Sequence, residues 1–260
     1  MRKTKKLTIA VIGCAALFCS GYYMSGSGYL NRYGEHLMLL TITPPPEGSA
    51  EQKRDEKVFL ETRSYKDNAR WKQAIIDSTA TKKELIQGFS CATGYQLSAA
   101  TMPNFFKLFA KTNNDAERLI RKSKKTYKIS RPYIAYGGVS CSSPAGYDYP
   151  SGHAMEGWTA ARLLVEYFPE HRAAIFTHAR SFAESRVICG VHSVSAVEVD
   201  EDYSESLIDR LKKLPTFQKD LESAKDEMAK LKKLPQTDGH CEKFPAEYVK
   251  PFSINTSLSL

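Results

Sequence analysis

The 260-residue sequence has no uncharged apolar run of the ~18–20 residues that a membrane-spanning helix needs, which excludes a protein of several spans. Its cysteines show no C-x-x-C spacing and its histidines no H-x-x-x-H spacing, so a structural zinc site is not expected. Runs alternating apolar and polar residues at period two are nearly absent, which argues against a sheet-based fold. A strong excess of one charge is also missing. The net charge is +8, but Arg2, Lys3, Lys5 and Lys6 supply four of the eight. The remaining 33 Lys+Arg against 29 Asp+Glu are too balanced to imply a nucleic-acid partner. What the chain does have is a globular composition, 42% hydrophobic and 25% charged, which excludes a mainly disordered protein.

The four leading cations precede a short apolar run from Leu7 to Phe18, followed by the small residues Cys19, Ser20 and Gly21. That pattern predicts a signal peptide over residues 1–21 and a periplasmic or secreted protein. The segment Val11-Ile12-Gly13-Cys14 also resembles a bacterial lipoprotein cleavage box with Cys14 as the lipidated residue, and an uncleaved anchor is the third option. Export leaves Cys91, Cys141, Cys189 and Cys241. An even number in an oxidising compartment suits two disulfides, with three pairings that spacing does not separate. Four buried free thiols are the alternative.

Residues 22–42 read as a lead-in segment, residues 43–235 as one domain and residues 236–260 as a polar tail. Pro44-Pro45-Pro46 is extended and leads into a helix at Ser49. From there the apolar spacing is helical. Val58, Leu60, Trp71, Ile75 and Ile76 mark early helices, Phe105, Phe106, Leu108 and Phe109 another, and Leu119, Ile120 and Tyr127 one that reaches Arg131-Pro132. Helices follow at 154–168 and 173–186, then a charged helical hairpin over 206–234 broken at Pro215. The expected fold class is all-α, a single-domain helical bundle.

Three clusters carry chemistry. In the first, Lys124 and Arg131 stand seven residues apart before Pro132; seven residues is two helical turns, which predicts both cations on one helix face. In the second, Pro150-Ser151-Gly152-His153 precedes the 154–168 helix. Ser151 suits an N-cap, Gly152 lets backbone N–H groups approach an anion, and the helix dipole favours negative charge there. In the third, Ser185-Arg186 is followed by Gly190, which turns the chain to present His192. Each cluster alone is compatible with an ordinary solvated or capped helix. Together they offer three cations, a helix N-terminus and two imidazoles, which is what phosphoryl transfer requires.

The order K-x6-R-P, P-S-G-H, S-R-x5-H resembles the phosphatidic-acid-phosphatase type 2 superfamily, and more closely the bacterial class A non-specific acid phosphatases. The stretches 134–140, 185–190 and 217–221 carry the same resemblance, which covers roughly residues 40–230. It implies that His192 is the nucleophile of a phosphohistidine intermediate and that His153 protonates the leaving alcohol. It implies further that Lys124, Arg131, Arg186, the Ser151 hydroxyl and the Gly152 N–H hold the phosphate. No metal or other cofactor is implied, because the cations neutralise the phosphate charge. The implied partner is a small phosphomonoester; a homodimer rests on the same analogy alone.

One position departs from the pattern. The family continues the third cluster as H-x3-D, where the Asp orients the nucleophilic imidazole; here that position is Ala196. Loss of an orienting carboxylate costs several powers of ten in the serine-protease case. Asp200, one helical turn beyond Ala196, is the better candidate to replace it; Glu198 points about 200° away. Three readings follow: an acid phosphatase of reduced turnover, a silenced phosphate-binding protein, and a vanadate-dependent haloperoxidase built on the same constellation.

Overall fold

The computed structural model describes residues 28–30 and 43–234, so the expected signal peptide, most of the lead-in segment, the tail and Cys241 lie outside the described residues. Among the described residues the elements are helical. They run α1 (Ala50–Thr62), α2 (Ala69–Thr79), α3 (Lys82–Gly88), α4 (Ser90–Thr93), α5 (Pro103–Tyr127), α6 (Pro132–Ala135), α7 (Gly152–Val165), α8 (Arg172–Ile188), α9 (Val194–Leu211) and α10 (Pro215–Met228). Short 3-10 turns follow α1 and precede α8, and among the described residues extended pairing is confined to one bridge between Tyr95 and Lys233. No described helix is long and apolar enough to cross a membrane.

The helix starts follow local chemistry. Side chains of Ser49, Ser151 and Ser193 accept from the backbone N–H three residues on, capping α1, α7 and α9. Pro103, Pro132 and Pro215 sit in first turns, where the missing N–H is harmless.

Helix α7 is the centre of the bundle. Most of its residues are buried, from Ala154 and Met155 through Trp158 to Val165, because α5, α8 and α9 pack around it. Helix α10 closes on α5, and α2 on α8. Trp158, Phe59, Phe89, Phe105, Phe109 and Phe217 are the largest fully buried side chains. The early apolar residues divide: Val58 and Trp71 are buried, whereas Leu60, Ile75 and Ile76 mark their helices but face outward.

Candidate active site

Helix α5 ends at Tyr127 because Lys128 takes a left-handed conformation (φ 52°). Lys124 is therefore in the last turn of α5, while Arg131 lies beyond it at the start of α6. This corrects the expectation of two cations on one helix face. They converge through the connecting segment and the loop before α7. Lys124 Nζ donates to the carbonyls of Tyr147 (2.6 Å) and Asp148 (3.2 Å). Arg131 Nη2 donates to the Ala145 carbonyl (3.1 Å) and Nη1 to the Val191 carbonyl (2.9 Å).

Gly190 ends α8 at φ +76°, and an added Cβ would collide with the Arg63 guanidinium. Arg63 in turn donates to the Ile188 carbonyl (2.7 Å) and to the Val139 carbonyl. The disulfide between Cys141 and Cys189 ties the same corner to the loop before α7. Cys91 is disulfide-bonded as well. This corner delivers His192, buried at 4% exposure, directly ahead of the Ser193 cap of α9.

Both ring nitrogens of His192 have partners. Nε2 is 2.9 Å from Arg131 Nη1, and Nδ1 is 2.9 Å from Asp148 Oδ1. A guanidinium only donates, so Nε2 carries the lone pair and Nδ1 the hydrogen. Asp148 also accepts from Ser193 N–H (3.1 Å, on Oδ1) and from the Ser193 hydroxyl (2.6 Å, on Oδ2). Burial pushes its carboxyl up to about 7 against these donors. Behind it, Ser195 N–H (2.8 Å) and hydroxyl (2.5 Å) donate to Asp55. The start of α9 is thus closed by two carboxylates.

The start of α7 is different. Ser151 Oγ accepts from Ala154 N–H at 3.4 Å, but among the described residues nothing accepts from the Gly152 or His153 N–H. An added Cβ at Gly152 meets no atom within 4 Å, so this end opens on free space. Arg186, 3% exposed, has Nε and Nη1 buried without a hydrogen-bond partner. It is backed by Ser185, which receives a hydrogen bond from Arg70 (2.8 Å) and donates to Asp77. A guanidinium kept dry and unpaired costs free energy unless an anion completes it.

The cations and imidazoles are electrostatically coupled. Burial first, then Arg186, Lys124 and Arg131, push His153 down to about 4. Burial and the same three cations, with His153, hold His192 well below the usual imidazole range. Lys124 falls to about 8 through burial and then Arg131. Both shifts favour the neutral imidazole at pH 7, the form in which such a ring can attack or accept a proton. Of the residues expected from the sequence, Lys124, Arg131, Arg186, His153 and His192 are thus coupled, and Ser151 and Gly152 stand directly before His153 at the start of α7.

Residues 97–199, which contain all of these groups, match the PAP2 superfamily. A non-specific acid phosphatase of Providencia stuartii is 32% identical over 243 residues, covering 84% of this chain and 98% of that protein. The chain belongs to the PAP2 superfamily. An acid phosphatase of Zymomonas mobilis is 30% identical over 199 residues, 74% of this chain and 75% of its own. A non-specific acid phosphatase of Salmonella typhimurium is 26% identical over 194 residues, 71% and 78% of the two chains.

In this PAP2 member the expectation for Asp200 is corrected. Asp200 is fully buried on α9, but its Oδ2 accepts from Ser151 N–H (3.1 Å), its Oδ1 has no partner, and it makes no hydrogen bond to His192. A side chain one turn beyond Ala196 faces α7 rather than the imidazole. Glu198 is exposed and pairs with Arg54. Asp148, the actual partner of His192, went unrecognised because it precedes the nucleophile by 44 residues. The one available signal was an acid two residues before Pro150 in a chain lacking the acid at 196.

Proposed function

We propose that this PAP2 superfamily member is an exported acid phosphatase that hydrolyses small phosphomonoesters through a phosphohistidine intermediate at His192. The observation that carries the reading is the buried Arg186 guanidinium, with Nε and Nη1 lacking a hydrogen-bond partner, in a site where Arg131 Nη1 lies 2.9 Å from His192 Nε2. Lys124, Arg131 and Arg186, with the Gly152 N–H and the Ser151 hydroxyl, would take the non-bridging oxygens. His192 Nε2 then attacks phosphorus as the ester P–O bond breaks, and His153 gives its proton to the leaving oxygen. Neutral His153 next takes a proton from water; the water oxygen attacks phosphorus, the P–N bond breaks, and its electron pair returns to Nε2. The relatives' names, all acid phosphatases, support the reaction class.

Burial and then three cations depress His153; an anionic substrate offsets the cations, which favours the protonated donor in the complex relative to the empty site. This supports activity on the acid side of neutrality. The basic, apolar leader and the Cys141–Cys189 disulfide support an oxidising compartment outside the cytoplasm. The silenced reading rested on Nδ1 of His192 having no carboxylate, and in the structure it has one.

The test is hydrolysis of p-nitrophenyl phosphate between pH 4 and 8 by the wild type and by His192→Ala. Acid-side activity present only in the wild type is expected. Equal rates in the two proteins would remove the enzymatic reading.

A further inference from the structure

The side chain at position 196 is a buried methyl, so the nucleophile's neighbour on α9 offers no acceptor. The acceptor comes from another part of the chain. Asp148, at the foot of the loop before α7, reaches His192 Nδ1 at 2.9 Å, with both side chains almost wholly excluded from solvent (3% and 4%). We propose that Asp148 is the positioning residue of the reaction, doing from the α7 side what Ala196 leaves undone on α9. The proposal rests on the phosphatase reading of the same site and assigns the carboxylate within it.

The hydrogen-bond arithmetic supports the assignment. Asp148 Oδ1 receives His192 Nδ1–H and Ser193 N–H, and Oδ2 receives the Ser193 hydroxyl. All three donors favour the ionised carboxylate and fix its direction. The Asp148 backbone is held too: its N–H donates to the Ile129 carbonyl at 2.8 Å, and its carbonyl accepts from Lys124 at 3.2 Å. One residue therefore connects the nucleophile's orientation to a phosphate-side cation. The competing acids are committed elsewhere. Asp55 spends both oxygens on Ser195, and Asp200 uses Oδ2 on Ser151.

The chemical consequence is specific. With Nδ1–H directed to Asp148, Nε2 keeps its lone pair; it accepts from Arg131 Nη1 in the empty site and becomes free to attack phosphorus when the phosphate oxygens take that guanidinium. As the Nε2–P bond forms and the ester P–O bond breaks, the ring becomes cationic. The leaving oxygen takes its proton from His153, while Nδ1 keeps its own. Burial holds the Asp148 carboxyl at about 7 in the empty site, and the ring's developing positive charge favours its ionised form, so Asp148 balances that charge without accepting the Nδ1 proton. A helix-borne acid and a loop-borne acid can fill this role equally, because what matters is the oxygen position relative to Nδ1 and not the element that supplies it.

The experiment compares Asp148→Asn, Asp200→Asn and His192→Ala with the wild type, using p-nitrophenyl phosphate turnover and 15N NMR of the His192 ring. Asp148→Asn is expected to lower kcat by about 10²–10⁴-fold, by analogy with the serine-protease carboxylate. It should leave KM within about threefold and move the His192 signals away from a pure Nδ1–H tautomer. Asp200→Asn should lower kcat by less than about tenfold and leave the tautomer unchanged. The assignment is overturned if Asp148→Asn keeps wild-type kcat and tautomer, or if Asp200→Asn shows the larger kcat loss together with the tautomer change. It is equally overturned if Asp148→Asn loses folding stability without a tautomer change, since that is a structural role. Should the wild type and His192→Ala prove equally inert, the phosphatase reading fails, while the NMR comparison still decides which acid holds the ring.

Discussion

Two helix N-termini meet near His192, and the protein treats them in opposite ways. At α9 carboxylates saturate the two serines of the cap and first turn: Asp148 takes both Ser193 donors and Asp55 takes both Ser195 donors. At α7 the Gly152 end opens on empty space, and the adjoining Arg186 guanidinium keeps two nitrogens unpaired. A saturated terminus fixes geometry, here the tautomer and direction of the nucleophile. An unsaturated one stores binding capacity for an anion, at a cost to the empty fold. Asp200 does accept from the Ser151 N–H at the α7 cap, so among the described residues the end left without an acceptor is confined to the Gly152 and His153 N–H groups.

The comparison breaks most visibly at the nucleophile. His192→Ala should remove turnover by about 10⁴-fold or more, as nucleophile deletions do, and a p-nitrophenyl phosphate assay reads it directly. Next, Arg186→Met should lower kcat/KM by roughly 10²–10³-fold, the scale of losing one transition-state donor. The same substitution should hold or raise the melting temperature without phosphate, because the relief of two buried N–H groups without partners offsets the lost attraction to Asp77 and Glu156. A fall in melting temperature would mean that Arg186 is satisfied in the empty protein, and the contrast between the two helices would go. Ala196→Asp is a finer probe. With Nδ1 already bonded to Asp148, the added carboxylate should give no gain in kcat and should lower stability by about 1–3 kcal/mol as a second buried acid, seen by thermal melting. A sharp gain in kcat would show the α9 side to be incomplete.

Ligand effects sharpen the other half. Inorganic phosphate at about a hundred times its Kd should stabilise the wild type by about 2.7 kcal/mol and Arg186→Met far less. The smallest expected change is in His153, which burial and three cations hold at about 4. A value below that of the unfolded chain means that stability from neutral His153 is present above about 6.5 and is lost as pH falls toward about 4. Bound phosphate offsets the cations, so the NMR titration midpoint of His153 should move upward and that loss should shrink. A midpoint unmoved by saturating phosphate would place the anion away from His153.

The fold was legible because helical periodicity survives in the sequence: the stripes at 154–168 and 173–186 became α7 and α8 within a few residues, and Pro215 separated α9 from α10. The boundary before Arg131 was not legible. Lys128 carries no glycine-like signal for its left-handed conformation, and without that stop Lys124 and Arg131 read as one helix face. Outward-facing Leu60, Ile75 and Ile76 show the same limit, since periodicity marks a helix without saying which apolar residues find partners.

The sequence by itself determined the set of groups that the proposed reaction uses. Two imidazoles, three cations and a Ser-Gly turn ahead of a helix are chemical statements that need no coordinates, and their order along the chain was enough to expect a phosphate site. Only the tertiary structure decided which acid serves His192. Asp148, Asp55, Glu198 and Asp200 differ little as residues; they differ in where their oxygens end up once α7, α9 and the loop before α7 are packed. Hydrogen bonds act over about 3 Å, a distance that chain separation does not encode.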